Sequence, residues 1–301
     1  MRTLVTGGTG FVGRHLLALL DDPVLVSRIE SSARAHLGNE MPIIEWNPAS
    51  GPLPIGQLKD RAPEAVINLM GESVADGRWT KAKKERIRTS RVDGTRNLFS
   101  GLSQLSTAPR VFVNASAVGF FGDGGETELT ESSPGGTGFL SDVCREWEEA
   151  ANQFRKFGTR VVNLRIGLVM GNDGGALKSL LPVYRWCAGG RLGSGRQWMP
   201  WIHVRDLARM FVWCRDNESI TGPIHGSAPE PVRNSEFTRE LARSVGRPAI
   251  LPAPQFAVRM ALGEFANSLF QSQRMIPAKA LAGGFDFQFK TLQSALKDLI
   301  P

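Results

Sequence analysis

Leu4-Val5-Thr6-Gly7-Gly8-Thr9-Gly10-Phe11-Val12-Gly13 is the stretch that decides the fold. An apolar, β-branched run leads straight into a glycine turn. The turn opens into Phe11–Leu20, where apolar residues recur at helical spacing. Strand, turn and helix in that order are the context in which Gly7, Gly10 and Gly13 acquire a meaning. Of three such glycines, one permits the tight turn, one lets backbone approach a pyrophosphate, and one lets helix and strand pack closely. The start of the helix adds free N–H groups and a positive dipole end. The stretch therefore predicts a dinucleotide site around Gly7, Thr9, Gly10, Phe11, Val12 and Gly13.

Further along, short β-branched runs alternate with helical patterns, as in a βαβ sheet. Strands are expected at Thr3–Thr6, Val24–Ser27, Pro42–Trp46, Ala65–Leu69, Val111–Ala115 and Val161–Arg165. Their apolar residues run nearly continuously, which fits strands buried on both faces of a parallel sheet. Helices are expected at Lys81–Leu102 and Phe139–Phe157, with a loop at Ser133–Gly136 before the second. After Arg165 the texture becomes loop-rich. Helices there are expected at Leu177–Cys187, Asp206–Asp216, Ser235–Val245 (with Asn234 as its cap) and Phe256–Phe270. The expected architecture is α/β, a Rossmann-like doubly wound parallel sheet with a smaller C-terminal substrate lobe. Residues 1–170, with segments around 200–228, would form the cofactor half, and residues 171–301 mainly the substrate side.

The end of the second strand selects the nucleotide. Dinucleotide sites often place an acid about 20 residues after the first glycine, on the ribose 2′-OH. Here the residues are Ser27-Arg28. An arginine suits a 2′-phosphate that an acid would repel, so NADP is the expected cofactor. Glu30, two residues on, leaves a ribose contact open.

Composition sets the remaining bounds. The 301 residues are 42% hydrophobic and 22% charged, which is ordinary for a globular protein. No apolar run reaches membrane-span length, and a buried strand starts almost at Met1, so a cytoplasmic protein without a leader is expected. Cys144, Cys187 and Cys214 form no CxxC pair. His15, His36, His203 and His225 have no metal-ligand spacing, so no metal site is expected. A net charge of +7 suggests a polyanion or a cofactor phosphate. The basic run Arg78–Arg91 lacks aromatic interleaving, so it reads as a solvated helix face and not as a nucleic-acid surface. The expected partner is a small-molecule substrate, with a homodimer possible.

The pattern Thr-Gly-x-x-Gly-x-x-Gly at Thr6–Gly13 resembles the extended branch of the short-chain dehydrogenase/reductase superfamily. So do Asn68–Glu72, Ser90–Leu98, Arg165–Gly171 and Trp201–Ala208. A narrower, atypical epimerase-like family matches better, the "NAD-dependent epimerase/dehydratase family protein", in bacteria sometimes labelled cell division inhibitor. Arg78-Trp79, Ser116–Gly119, Gly122-Asp123, Trp147-Glu148, Gly193–Gly195 and Pro200–His203 carry that likeness across nearly the whole chain. The resemblance implies a Rossmann-like domain, a small C-terminal lobe and NADP between them. It further implies that Ser27, Arg28, Leu69, Met70, Gly71, Glu72 and Arg91 line the cofactor.

The superfamily's usual proton relay is missing. Its Tyr-x-x-x-Lys pair exchanges a proton with substrate and holds the nicotinamide ribose. The only tyrosine is Tyr184, and residue 188 is alanine. The aligned positions are Leu140 and Cys144. The narrower family tends to carry tyrosines after the strand-end serine, where this chain has Phe120 and Phe121. Ser116 remains as a catalytic candidate. Asp123, Glu126, Glu131, Cys144 and His203 are weaker ones, each better explained by solvation or packing, and the Trp198, Trp201 and Trp213 cluster reads as core or cleft lining. Three functions stay open: an NADP-dependent oxidoreductase or epimerase with a non-standard site, a non-catalytic NADP-binding sensor or scaffold, and an interaction protein that no longer binds nucleotide.

Overall fold

The computed structural model describes residues 1–38, 40–249 and 252–300. At its centre is a seven-stranded sheet whose paired strands are all parallel. Its strands are β1 (Arg2–Thr6), β2 (Asp22–Ser27), β3 (Ile43–Glu45), β4 (Ala65–Asn68), β5 (Val111–Ala117), β7 (Arg160–Ile166) and β11 (Gly222–Gly226), with the two-residue β6 (Glu128–Leu129) outside it. The spatial order is β3-β2-β1-β4-β5-β7-β11. The chain first builds outward from β1 through β2 to β3, then crosses back to lay β4 on the other side of β1. Ligands of such sheets bind at that switch point, beyond the carboxyl ends of the strands.

The sheet is buried on both faces because successive strand residues point to opposite sides. Val5, Ile67, Val113 and Val162 pack with Leu16, Leu207 and Phe211. Leu4, Val66, Phe112 and Val161 pack with Leu98, Leu102 and Phe154. Those partners come from α1 (Phe11–Leu17), α3 (Lys81–Leu102), the 3-10 turn after α4 (Phe139–Asn152), and α6 (Val204–Asp216). Two helices lie between: α2 (Glu30–Leu37), which follows β2, and α5 (Gly175–Arg185).

A polar seam crosses the sheet, at the last residues of β1 and β4 and midway along β5 and β7. Thr6, Asn68, Asn114 and Asn163 stand in register on four neighbouring strands. Thr6 Oγ1 donates to Asn68 Oδ1 (2.5 Å), and Asn68 Nδ2 donates to Asn114 Oδ1 (2.7 Å) and Thr95 Oγ1 (3.0 Å). All four residues are buried, so these bonds satisfy groups that water cannot reach.

A separate apolar cluster gathers C-terminal residues around Trp201, Phe237, Leu241 and Leu296. It draws on α7 (Asn234–Ser244) and on α11 (Leu292–Leu299), which follows α8 (Gln255–Leu262), α9 (Ala266–Leu269) and α10 (Ala278–Ala282). Short pairs stitch this region: β8 (Leu168–Met170) with β10 (Trp201–His203), β9 (Trp198–Met199) with β12 (Val232–Arg233), and β6 with β13 (Arg274–Met275).

Several sequence expectations shift. The helix expected over Phe256–Phe270 breaks at Gly263, whose φ of +64° ends α8. Asn234 does not cap α7. It is the helix's first residue, and its Oδ1 accepts instead from the Leu192 amide at 2.7 Å. The edge strand β11 and the helices α2, α10 and α11 were not expected at all.

Candidate functional site

The glycine turn sits at the switch point. Gly7, directly after β1, has φ +69°, and a Cβ there would lie 2.7 Å from the Leu69 carbonyl oxygen just past β4. A Cβ on Gly13 would lie 2.5 Å from Gly7 O, Gly8 Cα and Gly8 O. Both positions thus exclude side chains on backbone grounds. Gly10 is the extended residue before α1. Its amide donates to Gly7 O at 3.0 Å, and no side chain caps the helix. The first amides of α1 have no partner within the helix and remain available to an anion. Phe11 is wedged against a second glycine set, since a Cβ on Gly171 or Gly174 would come within 2.3 Å of its ring. Arg14 and His15 both bind Asp173 at 3.2 Å and fasten that glycine loop over α1.

At the end of β2, Ser27 Oγ donates to Ile29 O, and Arg28 is exposed with no ion-pair partner among the described residues. The Glu30 carboxylate is engaged by Arg34 Nε at 2.8 Å, one turn along α2. Beyond β4, Met70 packs on Gly94 of α3. Arg91 lies against Gly71, donates to the Glu72 and Ile87 carbonyls (2.9 and 3.1 Å), and holds its guanidinium over Trp147. The Glu72 carboxylate accepts from Lys83 Nζ at 2.9 Å, and this bond holds it below the usual carboxylate range. The basic run is therefore not a merely solvated face. Lys83 is buried, Arg88 pairs with Glu146, Lys84 with Glu264, and Arg78 donates to Met260 O.

Ser116 is 2% exposed, and its hydroxyl donates to Glu148 Oε1 at 2.7 Å. The same carboxylate receives Arg165 through Nε (2.8 Å) and NH2 (2.9 Å). The Arg165 guanidinium lies 3.4 Å from the centre of the Phe120 ring and also donates to Glu131 O. Glu131 Oε1 accepts from the His225 and Lys279 amides. A buried polar network, spread over residues far apart in sequence, thus underlies the carboxyl end of β5.

The positions aligned with the missing relay hold no proton donor suited to neutral pH. Leu140 stands beside Gly119. Cys144 is buried with Sγ 3.8 Å from Ala117 O, and burial pushes its thiol up to about 11. His203 caps α6 by accepting from the Arg205 amide, stacks on Phe289 at 3.8 Å, and reaches Asp298 at 3.3 Å, which gives it a packing role.

Asp123, Glu126, Ser194, Arg196, Gln255 and Ser272 line a cleft of about 440 Å³. Asp123 Oδ1 accepts from the Gly125 and Ser272 amides, which leaves its other oxygen unbound among the described residues. Arg233 and the Trp198 indole hold Glu126 down to about 2. Glu126 is therefore a fixed charge at neutral pH. No group of His, Cys, Asp and Glu suited to a metal ion occurs among the described residues.

The profile of the NAD dependent epimerase/dehydratase family matches residues 3–224. The chain belongs to that family. A second profile, a domain of unknown function (DUF1731), matches residues 253–299. Family relatives include an epimerase family protein of Mycobacterium leprae, 36% identical over 97% of this chain and 93% of its own length. The epimerase family protein YfhF of Bacillus subtilis is also 36% identical, over 100% and 98%. Among solved structures, human epimerase family protein SDR39U1 with NADPH superposes with a TM-score of 0.87 at 32% identity, covering 100% of this chain and 99% of that one. UDP-glucose 4-epimerase of Thermus thermophilus, at 18% identity and a TM-score of 0.77 over 100% and 98%, shares the fold. The extended short-chain dehydrogenase/reductase resemblance and the Rossmann-like sheet are thus both borne out.

His225, in the buried network of this family member, gives a pH prediction. It is wholly buried, and its Nε2 has no hydrogen-bond partner among the described residues. Burial pulls the imidazole down to about 4, whereas an unfolded histidine titrates near 6.5. The native state therefore favours the neutral ring. The resulting stability is present above about pH 6.5 and is lost as pH falls toward 4, by roughly 3 kcal/mol in all. Urea denaturation from pH 7 to 4 should show His225→Gln losing less stability than the parent. Parallel losses would refute the assignment.

Proposed function

We propose that this protein is an NADP-dependent oxidoreductase or epimerase-like enzyme that acts on a small, sugar-like substrate without a Tyr-x-x-x-Lys relay. The observation that carries the reading is the pairing of the side-chain-excluding turn at Gly7 and Gly13 with Arg28 at the next strand end, exposed and without a carboxylate partner among the described residues. The turn fits a pyrophosphate and Arg28 fits a 2′-phosphate, since a guanidinium can grip phosphate in bidentate fashion. Glu30 would compete for a plain ribose, but Arg34 engages its carboxylate. The NADPH held by the human relative supports the same choice.

When bound, NADP supplies hydride exchange at its nicotinamide. The chain's own residues do the rest. Gly10, Phe11 and Val12 present backbone to the phosphates, and Ser27 and Arg28 flank the adenosine ribose. Leu69, Met70 and Gly71 line the neighbouring strand end, with Arg91 bracing it from behind. Substrate would enter the cleft at Asp123 and Gln255, whose polar lining suits a hydroxyl-rich molecule. Ser116 acts through Glu148 and is a positioning residue for the β5 end, not a free hydroxyl.

A second reading, a non-catalytic NADP-binding sensor or scaffold, is favoured by Leu140 and by the protonated Cys144 thiol, neither of which relays a proton. A screen of carbonyl compounds and nucleotide sugars for NADPH consumption or C–H isotope exchange separates the two. Saturable, substrate-dependent turnover supports the enzyme. Tight NADPH binding with no turnover across the panel overturns it in favour of the sensor.

A further inference from the structure

A second groove, of about 330 Å³, lies along α7 in the C-terminal region and is lined by Arg191, Arg239, Arg243, Arg247, Ser235 and Thr238. Every cation in it is an arginine. Arg239 and Arg243 share one carboxylate, that of the nearly buried Glu240. Arg191 and Arg247 are exposed and have no carboxylate partner among the described residues. The groove thus gathers four guanidiniums around one carboxylate, an excess of three positive charges that repel one another unless an anion offsets them.

The wall also carries a hydroxyl. Thr238 is 4% exposed, and its Oγ1 accepts from the Tyr184 hydroxyl at 3.2 Å. That bond uses an acceptor lone pair and leaves the threonine proton without an acceptor among the described residues, so it can be donated into the groove. Guanidiniums in this number with a hydroxyl donor match phosphate oxygens, which arginine grips in bidentate fashion. The volume admits one or two phosphoryl groups, not a duplex.

We propose that this groove is an anion site for a small mono- or diphosphate, separate from the cofactor turn. The reading does not depend on the proposed catalytic activity.

Inorganic pyrophosphate titrated calorimetrically into the NADPH-saturated protein tests it, because the cofactor's own phosphate sites are then filled. Saturable binding is expected. It should weaken at least about tenfold in the double variant Arg191→Ala/Arg247→Ala, which removes two exposed side chains. It should be unchanged in Arg61→Ala, an exposed arginine paired with Asp22 elsewhere. Absence of saturation, or equal weakening in both variants, would overturn the proposal and mark the groove as non-specific surface charge.

Discussion

Gly13→Ala should weaken NADPH binding at least about hundredfold, roughly 2.7 kcal/mol. The added methyl would lie 2.5 Å from three main-chain atoms, Gly7 O, Gly8 Cα and Gly8 O. None of them can rotate away as a side chain could, so the turn itself must move. Overpacking of this kind costs about 1–3 kcal/mol in stability. Because the displaced atoms are those proposed to cradle the pyrophosphate, the larger loss is expected on the ligand. Gly56→Ala is the control: a Cβ there meets nothing within 4 Å. Calorimetry on both variants decides the matter. Affinity within threefold of the parent for Gly13→Ala would show that the turn does not hold the pyrophosphate.

The largest stability effect is expected at Glu148. Glu148→Ala strands the Arg165 side chain, only 5% exposed, without its carboxylate. Breaking a buried pair from one side costs about 3–5 kcal/mol, because the remaining charge stays desolvated. Ser116→Ala should cost only about 1 kcal/mol, since the carboxylate keeps both bonds from Arg165. Urea denaturation at pH 7 measures both. The ranking fails if Glu148→Ala lies within about 1 kcal/mol of the parent, or if Ser116→Ala is the worse of the two.

The first strand–turn–helix unit and α3 were legible in the sequence because their signals are local. A glycine turn, its strand and its helix occupy consecutive residues, and α3 begins and ends at Lys81 and Leu102 as expected. The Ser116 environment was not legible. Its partner Glu148 lies 32 positions away, and Arg165 lies 17 further on. No periodicity couples such residues; the sheet register and α4 bring them together. The same holds for Lys83, which reads as one more surface cation until Glu72 and burial are seen together. One long-range feature did leave a trace. Asn68, Asn114 and Asn163 each directly follow a run of apolar residues in their strands, Ala65–Ile67, Val111–Val113 and Val161-Val162, a pattern that could have announced the seam. The edge strand β11 escaped because Gly222, Pro223 and Gly226 give it the composition of a loop.

The account's central claim is that the glycine turn and Arg28 together bind NADP. The most direct test is titration of NADPH and NADH into the parent and into Arg28→Ala. The parent should prefer NADPH at least about tenfold, and Arg28→Ala should lose that preference by weakening NADPH while leaving NADH unchanged. Equal affinities for the two nucleotides in the parent, or a preference that survives the substitution, would contradict the claim.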